Sequence, residues 1–166
     1  MENFHFFWGG PLSQWAKSNF VIDGVMYVTA EQYMMAQKAL LFKDYSSYND
    51  IMLTTSPLHQ KRIGRSVKDF NKEVWESVAK DIVYRANYAK FTQNVGLYDY
   101  LMSTNDKVLV EASPDDKIWG IGLFETDPRA LDRNQWLGTN WLGEILTNVR
   151  EDIKKEKSNW LNKISL

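Results

Sequence analysis

The chain of 166 residues carries 20 Lys and Arg against 21 Asp and Glu, so no global field singles out nucleic acid or a membrane as its partner. Cysteine is absent and only His5 and His59 supply imidazole, which excludes disulfides and thiol nucleophiles and leaves little for a metal site. With no apolar run of about 18 residues and no basic-then-apolar start, it reads as a cytoplasmic protein, or one acting in a host's cytoplasm, forming one domain over residues 1–166.

In chain order, Phe4 to Trp8 has strand composition and stops at the breaker Gly9-Gly10-Pro11. A short polar connection from Leu12 to Asn19 follows. Phe20-Val21-Ile22 and Val25 to Val28, joined by Asp23-Gly24, read as a hairpin with a two-residue turn. Thr29, with Gln32 three residues on, is a capping box that starts a helix running to Leu41. A short helix is expected from near Tyr45, and another behind Ser56-Pro57 that runs to Gly64 and Arg65. The longest helical pattern is Asn71 to about Phe91, with Trp75, Val78, Ile82, Ala86 and Ala89 as its apolar stripe. Val95 to Ser103 is a further short helix and Val108 to Val110 a buried strand. Glu111 to Pro114 leaves that strand, and Trp119-Gly120-Ile121-Gly122 lets the backbone come close to something. Glu125 to Gln135 reads as a polar loop, and a last helix spans about Asn140 to Lys155 before a charged tail. The fold class is α+β, mostly helical, with one small sheet built from the N-terminal strands and the Val108 strand.

The helix from Thr29 to Leu41 organises the rest. At about 100° per residue Tyr33, Ala36 and Leu40 share one apolar face, while Glu31 and Lys38 fall within about 20° of each other on the opposite one. Nearly all its other surface is apolar, which predicts a buried helix whose acid and base face a cleft or each other. The alternative from the residues alone is that each charge belongs to a structural ion pair with another partner. Seven Trp, eight Tyr and eight Phe supply rings for a core or stacking surfaces for a flat ligand.

A series of motifs in order resembles the NADAR, or YbiA-like, family over nearly the whole chain. It comprises Phe7-Trp8-Gly9-Gly10 with Leu12-Ser13, Glu31 to Ala39, Gly64-Arg65 with Val67, Trp75, and Lys90-Phe91 with Gln93-Asn94. It continues through Glu111-Ala112-Ser113-Pro114, Asp116, Trp119 to Gly122, and closes on Trp136, Gly138, Asn140 and Gly143. Trp141 and the Lys-rich tail depart from the pattern. The resemblance implies an N-glycosidase that needs no cofactor and cuts a ribosyl group from an amino nitrogen of a base. The implied substrates are the ribosylamino-pyrimidine phosphates of early riboflavin synthesis, or ADP-ribose attached to guanine, including in nucleic acid and in a toxin–antitoxin context. The alternative is a module that binds ADP-ribose or a ribosyl-nucleobase and does no chemistry.

On this footing Lys38 is the expected nucleophile and Glu31 the expected acid or base, since an apolar helix lowers a lysine pKa by desolvation. Asp116 is expected to hold ribose hydroxyls or to serve as a second acid or base; an Asp after proline is also an ordinary turn residue. Trp8 and Trp119 adjoin glycines and suit stacking on a base. Trp75 reads as core from its stripe and as a substrate contact from the resemblance. Arg65 is expected to grip a phosphate. Gly9, Glu111, Ser113, Gly120 and Asn140 lie inside matched motifs and are expected at the substrate; Asn140 also suits an N-cap.

Overall fold

The computed structural model describes residues 2–164. It divides into two compact units, a middle unit of Ser13–Leu97 and a terminal unit formed by the chain up to Leu12 and from Tyr98 onward. The class is α+β and mostly helical, as the periodicities predict. Among the described residues no helix is long and apolar enough to cross a membrane.

The middle unit holds strands β2 (Phe20–Ile22) and β3 (Val25–Tyr27) and helices α1 (Ala30–Leu41), α2 (Tyr45–Leu53), α3 (Pro57–Arg65) and α4 (Lys72–Thr92). Asp23 and Gly24 both have positive φ, 52° and 79°, the geometry that a two-residue hairpin turn requires. Every helix here starts on a side-chain cap: Thr29, Asp44, Ser56 and Asn71 each accept from an amide of the first turn. Gln32 completes the start of α1 by accepting from the amide of Val28 and donating to the carbonyls of Ile51 and Thr54. α1 is buried at Ala30 to Ala36 and at Ala39, the enclosed helix its sequence predicts. On α4 the core face is rotated from the expected stripe. Trp75, Ala79, Val83, Ala86, Asn87 and Lys90 are buried, whereas Val78 and Ile82 are only half-buried.

The terminal unit pairs β1 (Phe4–Phe7) in parallel with β4 (Val108–Glu111), Phe4 opposite Val108 and Phe7 opposite Glu111. The expected single sheet is therefore two separate sheets of two strands each. The outer edge of β2 is closed by a side chain: Gln93 accepts from the amide of Val21 at 2.8 Å and donates to its carbonyl at 2.9 Å. One amide group occupies the backbone positions that another strand would need. Val110, Ala112, Ile121, Leu123 and Ala130 form one buried apolar cluster of this unit, with Phe4, Phe6 and Trp136 packed on it.

Two further differences lie in the same unit. The expected polar loop from Glu125 folds into two 3-10 turns, Pro128–Leu131 and Arg133–Gln135, each opened by an aspartate cap, Asp127 and Asp132. Helix α6 (Trp141–Ile164) runs beyond the expected Lys155, because no breaker interrupts it and good helix formers continue. It packs on β4 through Gly143, where a Cβ would overlap the Leu109 carbonyl and the Asn140 side chain. Buried Arg150 ties it to the chain before β4, donating to the Thr104 hydroxyl and the Lys107 carbonyl. Helix α5 (Val95–Ser103) contains the boundary between the units.

Candidate active site

In the middle unit, α1 carries Glu31 in its first turn and Lys38 in its last, seven residues and so about 10 Å apart along the axis. Glu31 is only 7% exposed and its backbone amide donates to the Gln14 carbonyl at 3.0 Å. Lys38 is half-buried, with Nζ 4.4 Å from the ring centre of Phe70 and 5.7 Å from that of Trp75. Burial is the main cause that holds its pKa below the ordinary lysine value; the Glu31 carboxylate opposes the shift and the Arg65 guanidinium adds to it. An amine driven toward its neutral form, with an acid on the same helix, is equipped for nucleophilic attack and proton transfer.

The ring over Lys38 has its own support. Asp44, the cap of α2, accepts from the Ser47 amide and hydroxyl and also from the Lys68 amide at 3.0 Å. These bonds, that from the Ser47 hydroxyl foremost, hold its carboxyl below the usual range. Asp69 then takes a left-handed turn, φ 55°, which an aspartate tolerates, and Phe70 follows it against Lys38 and Phe42. Trp75, expected both in the core and at the substrate, is buried and forms a wall beside the amine. Arg65 is exposed at the end of α3, where its charge reaches Lys38.

In the terminal unit the segment after β4 is held mainly by its own backbone. Oδ1 of Asp116 accepts from the amides of Ile118 and Trp119 at 2.9 and 2.8 Å, the turn geometry that its position after Pro114 allows. Gly120 is needed because a Cβ there would meet the carbonyl oxygens of Glu111 and Asp116 at 2.9 and 3.0 Å, so the close approach expected of it is to its own chain. Ser113 is buried beside it. Asn140 opens α6 with φ 53° and is fully buried. Its side chain reaches β4 rather than capping the helix, with Oδ1 accepting from the Glu111 amide at 2.9 Å and Nδ2 donating to the Leu109 carbonyl at 3.0 Å. Its amide thus sets the position of Glu111 at the end of β4.

Trp119 packs edge-on against Trp141, the residue that departs from the family pattern, at 5.5 Å between ring centres. Trp8 is 53% exposed with its ring edge-on to Phe124, and Gly9 beside it has open space on its Cβ side.

The structure thus gathers Glu31, Lys38, Arg65 and Trp75 within one unit, and Glu111, Ser113, Asp116, Gly120 and Asn140 within the other. Phe70 escaped the sequence reading, since a lone ring between two helices has no period to betray it. Lys90, which the sequence places in a family motif without giving it a role, is fully buried on α4 with its amine 2.8 Å from the Ser13 carbonyl and its pKa pushed down to about 7 by burial. Its presence on the core face of α4, among apolar neighbours one turn apart, was the available signal.

The model of the NADAR domain matches residues 6–154. N-glycosidase R617 of Acanthamoeba polyphaga mimivirus is 44% identical over 145 residues, which is 84% of this chain and 85% of that protein. Protein irg-1 of Caenorhabditis elegans is 43% identical over 129 residues, and the match spans 76% of this chain but only 61% of irg-1. N-glycosidase YbiA of Escherichia coli is 32% identical over 148 residues. The NMR structure of the E. coli protein YbiA superposes with a TM-score of 0.77 at 30% identity, covering 95% of this chain and 89% of that one.

Proposed function

The chain belongs to the NADAR family of N-glycosyl hydrolases, and from that premise we propose that it cleaves the bond between a ribosyl C1 and the exocyclic amine of a base, with Lys38 as nucleophile and Glu31 as its acid–base partner. The observation that carries this reading is the Lys38 amine, set against Phe70 and Trp75 with its pKa lowered, on the helix that also holds a buried carboxylate.

An N-riboside of an exocyclic amine opens its sugar ring to an imine, which makes C1 an electrophile. The neutral Lys38 amine adds to C1; the base then leaves as its free amine, taking a proton, and a ribose–Lys38 imine remains. Water adds to that imine and returns the lysine amine and the free sugar, so one water is consumed for each base released. Glu31 supplies the proton to the departing amine and recovers one from the attacking water. Arg65 is assigned to a substrate phosphate. Trp8 and Trp119 are assigned to stacking on a base, and Asp116 to the ribose hydroxyls, on the strength of their place in the family motifs. The substrates that fit this chemistry are a ribosylamino-pyrimidine phosphate and ADP-ribosyl guanine, free or within nucleic acid.

The test is to incubate the protein with each substrate and follow release of the free base by mass spectrometry, with borohydride added to a parallel sample. Release from one substrate, loss of it in Lys38→Met and a ribose-derived mass gain on Lys38 are expected. Turnover by Lys38→Met at the wild-type rate would remove the covalent lysine. Binding of ADP-ribose without release from either substrate would make the chain a binding module instead.

A further inference from the structure

We propose that Lys90 and Asn87 are positioning residues that pin the Ser13–Gln14 segment against the start of α1 and thereby fix Glu31. The inference rests on the role given to Glu31 above.

A helix begins with backbone amides that have no partner within the helix. In α1 the Thr29 hydroxyl accepts from the amide of Gln32, but the amide of Glu31 is closed from outside, by the Gln14 carbonyl at 3.0 Å. The Gln14 side chain touches the same helix one turn further on, Nε2 lying 3.8 Å from the Met34 sulfur. The acid's own backbone therefore sits where Ser13 and Gln14 put it.

What holds Ser13 and Gln14 is α4. Lys90 donates to the Ser13 carbonyl at 2.8 Å, and Asn87, one turn earlier, donates to Gln14 Oε1 at 2.8 Å and to the Val83 carbonyl at 2.9 Å. Both side chains are fully buried. Burying a lysine amine for one bond to a carbonyl and the face of the Phe91 ring, 4.9 Å away, is a poor way to gain stability, since an apolar side chain of similar volume fills the space without desolvating an amine. The amine donates to Ser13 in either protonation state, so the bond persists when burial drives it toward neutrality. The segment is thus stitched to α4 on one side and to Glu31 and Met34 on the other, a support of the kind that holds a reacting group within a fraction of an ångström.

The experiment is amide hydrogen exchange by NMR on the whole chain, with kcat and KM measured on whichever substrate is turned over. Lys90→Met keeps the stem and removes the donor. In it the Glu31 amide is expected to exchange at least about tenfold faster relative to the amides of Tyr33 to Ala39, because a local opening needs only the lost bonds. The kcat is expected to fall about ten- to a hundredfold with KM within about twofold, the size of a small misplacement. Gln14→Ala, which leaves α4 intact, should open the same amide and serves if Lys90→Met does not fold. Val83→Ala, a cavity in the same helix, should lower Tm without selective opening at Glu31. An unchanged Glu31 amide in folded Lys90→Met and Gln14→Ala would overturn the proposal, as would an opened amide with unchanged kcat. If Glu31→Gln proves fully active, the acid–base reading fails while selective opening of the amide still supports the pinning.

Discussion

Lys38 is subject to three influences whose signs differ, and this makes its chemistry testable one neighbour at a time. Burial lowers its pKa most, the Glu31 carboxylate raises it and the Arg65 guanidinium lowers it. A nucleophilic amine acts only when neutral, so the rate of imine formation should rise with pH up to the Lys38 pKa and level off above it. Glu31→Gln removes the influence that favours the ammonium and should move this limb to lower pH. Arg65→Gln removes a repelling charge and should move it to higher pH. Opposite displacements are expected, each of a few tenths to one pH unit for charges near a protein surface. The measurement is the pH dependence of borohydride trapping by a small aldehyde, which needs no natural substrate. Displacements in the same direction would mean that Lys38 titrates under some other control. Glu31→Gln should also slow turnover by roughly 10²–10⁴, the usual size of an acid–base contribution.

The elements are placed by close approaches as much as by apolar faces. At Gly143 a Cβ would run into the Leu109 carbonyl of β4, a backbone atom that cannot move aside, so Gly143→Ala should destabilise the fold by about 1–3 kcal/mol in urea unfolding. Gly96, exposed in α5 with nothing within reach of an added Cβ, is its counterpart, and Gly96→Ala should stabilise by up to about 1 kcal/mol. These elements were legible wherever the signal was local. The caps Thr29 and Ser56, the Asp23-Gly24 turn and the buried α1 all follow from a few neighbouring residues. The closing of the β2 edge was not legible, because Gln93 reaches Val21 from 72 residues away in the chain. The rotated face of α4 was hidden for another reason: buried Asn87 and Lys90 are polar, and a pattern of apolar residues passes over them. The proposed site divides likewise. The placing of Glu31 and Lys38 on one helix was legible from their spacing, while Phe70 meets Lys38 only through the Asp44–Lys68 link and the turn at Asp69.

For the molecule as a whole, the buried ionisable groups predict an unusual dependence of stability on pH. Lys90 has a pKa near 7 in the fold, against the ordinary lysine value near 10.5 once unfolded. Below pH 7 it is protonated in both states and its burial penalty counts in full. Between about pH 7 and 10.5 the unfolded chain binds a proton that the folded chain has released, so stability rises with pH. The gain is on the order of a few kcal/mol at about 1.4 kcal/mol for each pH unit. Tyr27 acts in the opposite sense above that range. Burial pushes its pKa up to about 12, so from about pH 10 the unfolded chain loses a phenolic proton that the folded chain keeps, and stability falls again. On the acid side Asp127, held at about 2 chiefly by Arg129, and Asp44 and Asp132 lend stability above pH 4 that is lost as pH falls through their folded values. The expected profile from urea unfolding therefore climbs past neutrality to a maximum near pH 10, instead of the usual plateau between about pH 5 and 8. Lys90→Met should be the more stable chain at pH 6, and its advantage should shrink steadily as pH approaches 10. A difference between the two chains that stays constant from pH 6 to 10 would mean that Lys90 keeps its proton inside the fold, and that burial there is offset by a partner other than the Ser13 carbonyl.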